Sequence, residues 1–144
     1  MESEIKIKGI PRWRKYLPFV GTDMVKSRYP NLYLPEYMYR RWLRNELSNS
    51  EQSILIHESM HLQRQKTQGP FWYSVKYFFN PHFRLHEELV AIREQMIYLK
   101  QQGEAYDFDR KARQFASYEY FWVTNYKKAM QMLQGLWEEV EPNK

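Results

Sequence analysis

Gly9, Pro11, Pro18, Gly21, Pro30 and Pro35 punctuate the first 35 residues of this 144-residue chain. Proline lacks the amide proton that a helix interior needs, and glycine carries a large entropic cost of ordering. Punctuation this dense breaks helices and suits short strands and turns. Residues 4–10 alternate in part, with Ile5 and Ile7 on one face, and Asn31-Leu32-Tyr33-Leu34 is a second strand candidate. From about Glu36 the texture turns helical. An amphipathic helix carrying Tyr37, Arg41 and Arg44 is expected to end near Ser48. Ser48 and Glu51 then stand at capping-box spacing and open a second helix, which runs through Gln65 and stops before Gly69-Pro70. Residues 71–79 form a third, ended by Asn80-Pro81, and residues 83–101 a fourth, ended by Gly103. Asp107 or Asp109 is placed to cap a final long helix reaching about Glu139. The expected fold class is α+β, mainly helical, with a small N-terminal sheet, in a single domain over residues 1–144.

Hydrophobic residues make up 43% of the chain and aromatics 17%, which excludes a disordered polymer and is enough for one buried core. There is no cysteine, so disulfides and thiolate metal sites are both excluded. Any metal must be held by histidine and carboxylate. The four histidines, His57, His61, His82 and His86, all fall within one 30-residue stretch. The formal net charge of +5 is dispersed, with small clusters at Arg12-Trp13-Arg14-Lys15 and Arg40-Arg41-Trp42-Leu43-Arg44. Basic residues interleaved with aromatics suit nucleic acid or an anionic surface. Dispersed as they are, a solvated basic surface is the expectation, and nucleic acid is not the expected partner. The first eight residues hold no uninterrupted apolar core of the kind a secretory signal needs, and no stretch approaches the length of a membrane span. A cytoplasmic chain without a membrane partner is expected. Oligomeric state has no signal in the sequence.

His57-Glu58-Ser59-Met60-His61 is the densest chemical signal. Four residues apart on a helix, two imidazoles share a face, one turn above the other. So placed they can bite one Zn²⁺, while Glu58 reaches the water and not the metal. A chance copy of this pattern has a probability on the order of one in a hundred in a chain of this composition. Ile54-Leu55-Ile56 before it and Met60 and Leu62 within it are the flanks of a buried helix. A catalytic zinc takes three protein ligands plus water. A third histidine at HExxHxxGxxH spacing is absent, since Arg64 and Thr67 occupy those places. The next candidates are His82, His86, Glu87 and Glu88.

At these residues the chain resembles the gluzincins, the zinc peptidases that include thermolysin, and its size is similar to that of the minigluzincins and related short HExxH proteins. The resemblance covers roughly residues 50–95. It implies a zincin-like helix supplying His57, His61 and the general base Glu58, and a second helix supplying a glutamate followed three residues later by a small residue. Glu88 and Ala91 match that spacing, and Gln63 or Gln65 after the first motif resembles the short HExxH proteins as well. It further implies a Zn²⁺ cofactor, a peptide or protein substrate, and an early strand, Asn31 to Leu34, offering an open edge to an extended peptide. Glu58 would take the proton of an activated water and pass it to the leaving amine. Two departures stand out. Glu87 precedes Glu88, and Ala91-Ile92 replace the Ser-Asp of the longer signature, so the support of the zinc-bound histidines must differ. No histidine follows His86, so oxyanion stabilisation falls to a tyrosine, an arginine or an upstream histidine; Tyr118, Tyr120 and His86 are candidates, with core packing the expectation for the two tyrosines. His86 and Glu87 are rivals to Glu88 as third ligand. The alternative functions are a catalytically inactive zincin-like protein and a basic nucleic-acid-binding module.

Overall fold

The computed structural model describes residues 6–10, 26–117 and 124–141. These form two compact units, Met1–Tyr73 and Ser74–Lys144. Among the described residues, three short strands and six helices give the mainly helical α+β class that the sequence predicts.

The first unit holds the sheet: β1 (Lys6–Gly9), β2 (Lys26–Arg28) and β3 (Asn31–Leu34), in the order β1-β3-β2. β3 runs parallel to β1, with Lys6 opposite Asn31, and antiparallel to β2, with Arg28 also opposite Asn31. Alternation along β3 buries Leu32 and Leu34 on one face. Met38 of α1 (Glu36–Leu43) and Leu62 of α2 (Asn49–Gln68) complete that core, with Ile7, Tyr39, Trp42 and Leu55 packed at its margin. Leu55 and Leu62 are two helical turns apart, so one stripe of α2 lies on the sheet. Gly9 ends β1 against Tyr39 of α1, where a Cβ would stand 3.2 Å from the ring.

α1 stops at Leu43, short of the expected Ser48, because Asn45 turns into the left-handed region at φ 58°. Asparagine tolerates that conformation and so ends helices. Arg41 spans the resulting loop, donating to the Glu46 carbonyl at 3.0 Å and pairing with Glu51 at 2.8 Å. The capping box of α2 is formed as its spacing predicts. Glu51 N donates to Ser48 Oγ at 3.2 Å, and Ser48 N donates to Glu51 Oε1 at 3.1 Å. At the other end Gly69 adopts φ 89°, a conformation open to glycine, and Pro70 starts α3 (Pro70–Phe79), which continues into the second unit.

The second unit contains α4 (Pro81–Gln101), α5 (Phe108–Phe115) and α6 (Tyr126–Glu139). Asn80 caps α4 by accepting from Phe83 N at 3.1 Å, with Pro81 at the first helical position. Ile92, Met96 and Leu99 of α4 pack with Ala112 and Phe115 of α5 and with Ala129 and Leu133 of α6. Lys100 closes the C-terminus of α6, donating to the carbonyls of Trp137 and Val140, the latter at 2.9 Å. The single long helix expected after Asp107 is corrected to two. Asp107 does cap the first of them, but Asn125 opens α6 by accepting from Lys128 N at 2.9 Å. The reason is packing: Phe115 and Leu133 enter the same core, a geometry reached by a helical hairpin and not by one straight rod. Tyr118 and Tyr120, weighed as oxyanion donors, lie outside the described residues. Among the described residues no helix is long and apolar enough to cross a membrane.

Candidate metal centre

α2 brings His57 and His61 together as the spacing predicts. Both rings are buried, their centroids are 4.9 Å apart, and the two Nε2 atoms face each other at 3.2 Å. Two nitrogens each 2.0–2.1 Å from one tetrahedral zinc stand about 3.3–3.4 Å apart. The pair therefore already sits at the spacing of two ligands on one ion. A buried pair of imidazole nitrogens is also the donor set that zinc accepts in a chain without cysteine.

The other ring nitrogen of His61 has its own partner. Tyr73 Oη lies 3.1 Å from His61 Nδ1, and both groups are buried. The turn at Gly69 folds α3 back so that its first turn presents this hydroxyl to α2. With the proton on Nδ1, His61 donates to Tyr73 and leaves the Nε2 lone pair directed at His57. A metal-ligating histidine is usually held this way, by a hydrogen bond that fixes its tautomer and ring orientation.

Glu58 is half-buried beside the pair. Its Oε2 accepts from Ser27 Oγ of β2 at 2.9 Å. Two turns further along α2, Gln65 Oε1 accepts from the backbone N–H of Tyr29 at 2.8 Å. These two bonds moor β2 and its turn to the motif helix, with the carboxylate of Glu58 beneath the edge of the sheet. The topology corrects one expectation. Asn31–Leu34 is the middle strand, paired on both sides, and so has no open edge. The edge strand beside α2 is β2, which carries the serine that meets Glu58.

Glu88 stands in the second unit, on α4, and is buried. The Tyr77 hydroxyl donates to its Oε1. Glu87 and Ala91 are buried as well, whereas His82 and His86 are exposed. Tyr106 is buried with no hydrogen-bond partner for its hydroxyl among the described residues. Burial holds its phenol well above the ordinary range, and the charges of Glu88 and Asp107 push it further the same way. Arg84, one turn before Glu88, is buried and donates to the carbonyls of Tyr77 at 2.8 Å and Phe78 at 2.7 Å. Ser27, Tyr73, Tyr77 and Arg84 were not legible as site residues. The only trace in the sequence is the four-residue spacing of the two tyrosines, which an aromatic-rich helix gives for other reasons.

Comparison of the chain with protein-family models, with curated proteins and with solved structures finds no match in any of the three.

Proposed function

We propose that this chain is a zinc-dependent metallopeptidase in which His57, His61 and Glu88 hold the metal and Glu58 is the general base. The observation that carries the reading is the buried Nε2 pair at 3.2 Å, with a carboxylate one residue from its first member. Zinc in such a site polarises a carbonyl and lowers the pKa of a water toward about 7. The remaining steps belong to the chain. Tyr73 keeps the His61 lone pair aimed inward. Glu58, steadied by Ser27, takes a proton from the attacking water and delivers it to the departing amine. Tyr77 holds the carboxylate of Glu88 in one orientation. The outer side of β2, unpaired among the described residues, would take an extended peptide, a mode in which main-chain hydrogen bonds supply register and affinity. The same strand carries Ser27, so a peptide laid along it passes beside Glu58.

Elemental analysis after zinc reconstitution tests the ligand set. About one zinc per chain is expected in the parent, with loss in His61→Ala and in Glu88→Ala. A peptide-library digest then tests the chemistry: Glu58→Gln should retain zinc and lose turnover. A parent that takes up no zinc refutes the metal site. Full activity in Glu58→Gln refutes the base assignment alone.

A further inference from the structure

α3 exposes what helices of globular proteins usually bury. At 100° per residue, Phe71, Trp72, Val75, Phe78 and Phe79 fall within a sector about 120° wide, while Tyr73 and Tyr77 point to the opposite side. Four of the five are aromatic and open to solvent: Phe71 is 71% exposed, Trp72 63%, Phe78 60% and Phe79 75%. They stand as two edge-to-face pairs, Phe71 with Trp72 and Phe78 with Phe79, one at each end of the helix. Lys76 lies at the margin of the sector, with its ammonium 5.4 Å from the centre of the Phe83 ring. An aromatic stripe of this kind marks an interaction surface.

Charge selects its occupant. Residues 59–86 contain no aspartate or glutamate, and exposed Lys76 stands at the margin of the sector, within a chain of net charge +5. A second copy of the chain docking on the same face would bring the two copies of Lys76 together, with no acidic residue in residues 59–86 to offset them. An anionic lipid surface instead accepts both parts of the pattern. Phenylalanine and tryptophan enter the boundary between headgroups and acyl chains, and a flanking lysine keeps its ammonium among the phosphates.

We propose that α3 is an interfacial anchor, lying in the plane of an anionic bilayer with its aromatic sector in the headgroup region. The expectation of no membrane partner rested on the length of apolar runs, and that criterion does not bear on a helix lying along the surface. The anchor stands on the geometry of α3 alone and does not depend on the metal.

Flotation of the full chain with vesicles tests it. Phosphatidylcholine vesicles with a phosphatidylglycerol fraction should carry the protein upward at low salt. Pure phosphatidylcholine should carry much less, and added salt should release it. The triple variant F71S/W72S/F79S should bind the anionic vesicles at least about tenfold more weakly, with an unchanged far-UV spectrum, because the three side chains are exposed. K76E should weaken binding and flatten its salt dependence. Failure of the parent to float with anionic vesicles overturns the anchor, as does undiminished flotation of the triple variant. Concentration-dependent dimerisation that the triple variant abolishes, without flotation of the parent, assigns the face to a second copy instead.

Discussion

Tyr73→Phe removes one hydroxyl and leaves the ring that fills the space around it. That hydroxyl lies 3.1 Å from His61 Nδ1, in a buried setting. Losing a hydrogen-bond partner of a zinc-ligating histidine weakens metal binding by about 10- to 100-fold, which corresponds to about 1.4–2.8 kcal/mol. The metal-free protein has a way to avoid most of the cost. His61 can move its proton to Nε2 and donate to His57 Nε2, 3.2 Å away, so no buried donor is left stranded. That tautomer is the one that cannot bind zinc through Nε2. The substitution should therefore cost metal-free stability no more than about 0.5–1.5 kcal/mol, while zinc affinity falls by the larger factor. Competition against a chromogenic chelator measures the affinity, and thermal unfolding of the chelated protein measures the stability. Zinc affinity equal to the parent's would refute the role of Tyr73 while leaving the two-histidine site standing.

Two further substitutions probe the scaffold, one in each unit. Ser48→Ala removes the hydroxyl that accepts from Glu51 N, leaving the bond donated by the residue 48 backbone, and should lower stability by about 1 kcal/mol in urea titration; no change would mean that the remaining bond and the Arg41–Glu51 pair hold the helix start. Tyr106→Phe should raise resistance to alkali. The folded-state pKa of Tyr106 lies above the ordinary value of 10.0, so above that pH the unfolded chain loses its proton first. The stability tied to the neutral phenol is thus whole below pH 10 and lost as pH rises. Without the phenol the alkaline unfolding midpoint should move upward. Stability at neutral pH should hold or improve, since the deleted hydroxyl has no partner among the described residues. A downward shift of that midpoint would refute the burial argument.

Local chemistry made parts of this fold legible. The capping box at Ser48 and Glu51 and the stops at Gly69-Pro70 and Asn80-Pro81 all act within a few residues, and each lies where the spacing puts it, while the fourth helix starts at Pro81, two residues before the expected Phe83. The facing histidines followed from helical geometry for the same reason. What could not be read depends on partners far along the chain. Lys26-Ser27-Arg28 has no apolar alternation and becomes a strand only because β3 pairs with it. That pairing also takes the second side of Asn31–Leu34, and among the described residues it makes β2 an edge strand. The break between α5 and α6 answers to a shared core around Phe115 and Leu133, which period alone does not encode. Tyrosine hides its role in a different way. On a helix as aromatic as α3, a tyrosine that packs and a tyrosine that donates look alike in sequence.

The clamp made by Arg84 has a mechanical consequence. Its guanidinium grips two successive carbonyls, those of Tyr77 and Phe78, at the end of α3, while its own backbone sits one turn ahead of Glu88. The Tyr77 side chain closes a second strut onto Glu88 itself. The last turn of α3 and the first two turns of α4 therefore form a braced corner that resists bending at Asn80. A displacement of Phe78 or Phe79 would have to strain these bonds or carry Glu88 with it. Two exposed aromatic rings of α3 are thus tied mechanically to an acidic side chain.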